Sequence, residues 1–224
     1  MKKVLLLAVL VSFGFISQAQ LRYNFFVGQD AELMQTTFNG FGSVGWDFTH
    51  TRYKSFGEGS TKGFWAIGGG LTVRKFRFKN NFALEGSGEA VVFVPDSSHR
   101  DYTQSFFSYS KSKLVTTYIR VHPEIGISFN NEKFAIGVGP ILDFLIQTKH
   151  KRKYKVDGEK EKFVNRSNDE YDVNRFQYGG RLTVGGMKFG AYMVYMVNPF
   201  FANPLSPQVN SMETGFYLRQ AIGD

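Results

Sequence analysis

Between Val115 and Phe129 every second residue belongs to the same class. Val115, Thr117, Ile119, Val121, Pro123, Ile125, Ile127 and Phe129 share one phase, while Thr116, Tyr118, Arg120, His122, Glu124, Gly126 and Ser128 share the other. Side chains of an extended chain alternate with period two, so this segment is a ribbon with one apolar and one polar face. Eight segments alternate in this way, at about residues 38–49, 64–78, 82–94, 114–129, 134–147, 173–187, 189–198 and 212–222. Three connectors between them are tight (79–81, 130–133 and 187–188) and four are long (50–63, 95–113, 148–172 and 199–211). Asn in the tight connectors tolerates the positive φ that hairpin turns need. Alternating short and long connectors suit an even number of strands with turns at one end and loops at the other. The expected fold class is all-β, an eight-stranded antiparallel up-and-down transmembrane β-barrel.

The first 19 residues have the layout of a cleaved secretory leader. Lys2 and Lys3 precede an apolar run over 4–16, and Ser17 and Ala19 place small residues before a cut at Gln20. The expected mature chain is one domain. Residues 20–37 are a periplasmic arm or the start of the first strand, and 38–224 form the barrel. There is no Cys, which excludes disulfides and an acylated N-terminal Cys. Without Lys2 and Lys3 the chain keeps 25 basic and 19 acidic residues, or +6. The leader, and the placement of most basic residues in connectors, argue against a nucleic-acid partner. An anionic lipopolysaccharide surface fits better. Aromatic residues make up 17%, with 24 Phe, and Trp46 and Trp65 are expected together at the outer end.

The polar phase carries charge of both signs. Glu85, Glu89, Arg120, His122, Glu124, Asp143, Arg175, Arg181, Glu213 and Arg219 fall on it, interleaved with Gly126, Gly137, Gly139, Gly179 and Gly185. An eight-stranded barrel is only wide enough for its interior to be filled by side chains. Glycines there make room for Arg and Glu to pair, and buried charges are tolerable when matched. The expectation is a plugged polar lumen. Two places resist the pattern. Phe76 and Phe78 are out of phase with Leu71 and Val73, which suggests a bulge or an exit from the membrane. Pro123 and Pro140 each lie seven residues from the Asn130-Asn131-Glu132-Lys133 turn and should break the ladder opposite each other.

Catalytic and metal patterns are thin. His50, His99 and His150 lie in different long connectors, no His-x-Ser occurs, and His122 beside Glu124 reads as a satisfied interior histidine rather than an acid–base pair. The expected protein is not an enzyme and has no cofactor. The densest surface feature is Lys149, Lys151, Arg152, Lys153 and Lys155, followed by Asp157-Gly158, a hairpin-turn signal. It reads as a protruding basic ribbon facing lipopolysaccharide.

The Ser-Gln-Ala-Gln leader end, the short Asn turns, Tyr195-Met-Val-Asn-Pro199-Phe-Phe and the last strand around Met212–Leu218 resemble the Bacteroidetes-type eight-stranded outer-membrane β-barrel proteins, similar in architecture to OmpX/OmpA-like barrels. That resemblance implies residence in the outer membrane of a Gram-negative bacterium with both termini periplasmic. The implied partners are outer-membrane lipid, lipopolysaccharide, the barrel-insertion machinery and a protein docking at the extracellular loops. The implied role is envelope-structural or surface interaction. The alternatives are accessory service to a type IX secretion system (PorT-like), a lipid-A-modifying enzyme, or a secreted lipocalin-like carrier.

Overall fold

A computed structural model describes residues 18–28, 43–78, 82–86, 90–95, 111–156, 159–166 and 171–221. They form twelve strands and, among the described residues, no helix. The strands are β1 (Gln18–Val27), β2 (Val44–Phe56), β3 (Lys62–Arg77), β4 (Phe82–Gly86), β5 (Val91–Pro95), β6 (Lys111–Phe129), β7 (Phe134–Val156), β8 (Glu159–Asn165), β9 (Phe176–Gly185), β10 (Phe189–Met196), β11 (Asn210–Leu218) and β12 (Gln220–Ala221). The alternation in the sequence is what makes them strands: along β10 every second residue is buried and every other one exposed.

Ten strands share one sheet, running β1-β11-β10-β9-β7-β6-β3-β2-β12 with β8 paired to β7. β1 pairs antiparallel with β11, Arg22 opposite Gly215, and also with β2, Arg22 opposite Gly45. Eight strands therefore follow one another round a ring. Contacts across its interior show how far the sheet curls. Arg74 on β3 reaches Asp143 on β7, Gln177 on β9 and Glu213 on β11. The connectors at 57–61, 130–133 and 186–188 lie at one end. In the middle one, Asn130 and Asn131 take φ of 49° and 53°, the left-handed region that Asn tolerates best among residues with a side chain.

This architecture corrects the expected fold class. Instead of eight antiparallel strands in an up-and-down transmembrane barrel there are twelve. One pairing is parallel, β12 on β2; β8 branches off β7; and β4 and β5 form a hairpin apart from the main sheet. The expected third strand, 82–94, is that hairpin, because its two short apolar runs pair with each other. The place it was to fill is taken by β1, which begins at Gln18, inside the expected leader; residues 1–17 lie outside the described residues. Residues 57–61 make a tight β2–β3 turn where a long outer loop was expected, so β2 and β3 run the other way round from the expected layout. Trp46 and Trp65 accordingly sit toward opposite ends of that hairpin, opposite Val73 and Lys54. The outer-membrane placement, the periplasmic termini, and the partners lipid, lipopolysaccharide and insertion machinery were deduced from the eight-strand layout and fall with it.

Two local expectations are settled by burial and register. β3 keeps its alternation without a bulge: Thr72, Arg74, Phe76 and Phe78 are all buried, so the phase change is one of chemistry, from polar to aromatic, along a single inward face. Pro123 and Pro140 do interrupt the ladder. β6–β7 pairing stops at Val121–Leu142 and resumes at Ile125–Val138, since neither proline has an N–H to donate.

Inside the ring the layers are apolar, polar, apolar. At the end with the long connectors, Phe26, Phe76, Phe78, Tyr118, Tyr171, Phe200 and Phe201 form a packed cluster. Phe76 stacks on Phe26 at 4.3 Å between centroids and meets Phe200 edge-on at 5.0 Å. At the short-turn end, Tyr53, Phe64, Ala66, Ala135 and Met187 pack together. Charged side chains fill the space between. The outer face is apolar on every ring strand: Tyr23, Trp46, Ile67, Ile125, Val138, Leu182, Met193 and Phe216 are all exposed, Ile125 at 66%.

Candidate functional site: the internal ion network

The period-two alternation that points Tyr23, Trp46, Val73, Ile119 and Phe144 outward points their neighbours inward. Those neighbours are Arg22, Asp47, Arg74, Arg120 and Asp143; with Glu213 of β11 they meet in the middle of the ring. Arg120 holds Asp143 with two parallel bonds, Nε to Oδ1 and Nη2 to Oδ2, both 2.8 Å. Its Nη2 also donates to Glu213 Oε2 at 2.9 Å. Arg22 Nη1 donates to Glu213 Oε2 at 2.7 Å and lies 3.0 Å from Asp47 Oδ1. Arg74 donates to Glu213 through Nε and to Asp143 through Nη2, the latter at 2.5 Å. Thr72 and Tyr192 donate to Asp47. Three guanidinium groups thus face three carboxylates, and this cluster is neutral.

Burial on its own would raise the Glu213 carboxyl, but Arg120, Arg22 and Arg74 outweigh it and hold the group well below the usual carboxylate range. Asp47 is also lowered: burial raises it, and Arg22 and Arg120 bring it down. The Tyr118 phenol, buried under the Arg74 guanidinium at 4.5 Å, is pushed up to about 12, mainly by burial. Glu213 and Asp47 stay ionised and Tyr118 protonated, as a permanent ion lattice requires.

A second cluster lies nearer the short turns. Glu124 accepts from Arg219 and from Thr183. The Arg219 guanidinium stacks over Tyr217 at 4.0 Å. Arg181 lies over Tyr192 at 4.7 Å and 2.5 Å from His122 Nδ1. Burial first, then Arg181, Arg120 and Arg219, pull His122 well below its ordinary value, so it is neutral. Glycines make this possible. A Cβ at Gly68 would collide with the His122 ring, and one at Gly137 with the Glu124 carboxylate.

Of the expected interior residues, Arg120, His122, Glu124, Asp143, Arg181, Glu213 and Arg219 come together inside. Arg175 does not: it is exposed, just before β9. Glu85 is on the separate β4–β5 hairpin, and Glu89 lies outside the described residues. Arg22, Asp47, Arg74, Gln177 and Tyr192 were missed. Their signal was present, for Arg22 alternates with Tyr23, Asp47 sits between Trp46 and Phe48, and Arg74 follows Val73. Lys149, Lys151, Arg152, Lys153 and Lys155 lie on β7, where β8 pairs along its far end.

No family model, curated protein or solved structure matches the chain. The expected membership of the Bacteroidetes-type outer-membrane family is withdrawn. Of the residues on which it leaned, Phe200 and Phe201 are buried in the end cluster. With it go the envelope and secretion-system roles it implied. The lipocalin-like carrier stood as an alternative to it, and would keep open for cargo an interior that here holds the buried Arg22, Arg74, Tyr118 and Glu213.

Proposed function

We propose that this protein is a non-catalytic scaffold, locked from within by ion pairs and acting through its outer surface. One observation carries the reading: burial is inverted, with Arg22, Arg74, Asp143 and Glu213 at 0% exposure while Ile125, Phe189 and Phe216 stand at 56–66%. Exposed apolar surface on this scale marks an association surface. It runs over all eight ring strands, so what covers it surrounds the ring. The inward Arg120, Asp143 and Glu213 support the non-catalytic part of the reading, because they bond one another.

Sedimentation equilibrium at several protein concentrations tests this. The expected result is a particle heavier than the monomer whose mass grows with protein concentration. A monomer at every concentration would overturn the reading.

A further inference from the structure

The end of the β3–β6–β7 wall away from the short turns carries a different chemistry from the apolar girth. Lys75 and Arg77 of β3, Lys113 of β6, and Lys151 and Lys153 of β7 line a cleft of about 250 Å³, with Ser112 at its edge. Register builds it: Arg77 is opposite Lys113, and Lys113 opposite Lys151. Like charges directly opposite each other on a sheet are destabilising, yet here they are stacked across three strands. On the far side Lys153 faces Lys162 of β8. Lys113 feels the crowding: burial, then Lys75, Lys151, Lys153 and Lys149, pull its ammonium below its ordinary value.

We propose that this cleft binds a compact polyanion bearing two or more phosphate or sulfate groups. An anion seated there meets the stacked Arg77, Lys113 and Lys151 at once, and Arg77 adds a planar fork suited to tetrahedral oxyanions. The volume falls below the roughly 300–1,000 Å³ usual for drug-sized ligands, which favours a small, dense anion. The occupant is an anion free in solution, small enough to sit between cations from three adjacent strands.

Calorimetric titration of the full chain with sodium tripolyphosphate, at low and at high ionic strength, tests the site. One-to-one binding is expected, weakened at least tenfold by the double substitution K113Q/K151Q and unchanged by K188Q at the short-turn end. Because the double substitution removes like-charge contacts, its denaturation midpoint should not fall, and measuring it separates lost binding from lost fold. Equal binding by wild type and K113Q/K151Q would overturn the proposal. So would no binding at low ionic strength, or binding only to vesicles of anionic phospholipid with none to dissolved tripolyphosphate.

Discussion

Replacing Glu213 by Gln keeps the shape of the side chain and removes one charge from the centre of the ring. Glu213 is completely buried and is approached by Arg22, Arg74 and Arg120. After the change three guanidinium groups share two carboxylates, and one buried positive charge is unmatched. Removing one member of a buried ion pair typically costs about 3–5 kcal/mol, mostly through the charge left behind. The upper part of that range is expected here because three donors lose strength together. The cost should be recoverable. R22M/E213Q is neutral again, so its destabilisation should fall short of the sum of the single changes by about 1–3 kcal/mol, the coupling seen between residues in one network. Denaturant midpoints for wild type, E213Q, R22M and the double variant, at one fixed protein concentration, give the cycle. A loss below about 1 kcal/mol for E213Q, or strict additivity in the cycle, would refute the idea that charge balance holds the interior together.

Three further outcomes follow from the same interior. His122 is held neutral in the fold and ionises near 6.5 when unfolded; the unfolded chain therefore binds the extra proton, stability falls as pH drops below about 6.5, and the slope from this group, at most about 1.4 kcal/mol per pH unit, should be lost in H122N, leaving the smaller share of His50, which is lowered too. Tyr118, pushed up to about 12, should be absent from an ultraviolet phenolate titration until close to that pH, and a normal titration near 10 would show that water reaches it. F76A, which removes the ring stacked on Phe26 and met by Phe200, should cost about 3–5 kcal/mol in the midpoint; an unchanged midpoint would mean the aromatic end layer is not a packed core.

The strands themselves were readable wherever one face stayed chemically uniform. β6, with Ile119, Ile125 and Ile127 against Arg120, His122 and Glu124, follows the sequence pattern closely. Legibility failed where the inward face changes chemistry along its length. Phe76 and Phe78 continue the same face as Thr72 and Arg74, but period-two reasoning groups residues by polarity and so infers a shift that is not there. It failed again over Gln18–Val27, where a strand begins inside the expected leader and crosses the expected cut at Gln20. Counting 82–94 as one long strand came from the same cause, since two short apolar runs joined by Gly and Ser look alike whether they continue or turn back. The interior residues identified correctly all lay on segments whose alternation was already certain.

Ring closure and charge pairing are one event in this chain. Arg22 on β1 is the partner of Glu213 on β11 and of Asp47 on β2, and β1 is the strand that pairs with both. An open sheet lacking β1 would leave Asp47 and Glu213 short of the Arg22 cation and would also remove Phe26 from its stack on Phe76 in the end cluster. Partial closure is therefore penalised twice, by an exposed strand edge and by unmatched buried charge. The decisive contact joins residues 191 apart in sequence. Loop entropy has to be overcome before such a contact forms, so folding should be slow and late in this region. Once the ring is closed the same contact resists opening. The interior is then fixed, and variation in what the protein engages is left to the outer girth and to the cationic end of β3, β6 and β7.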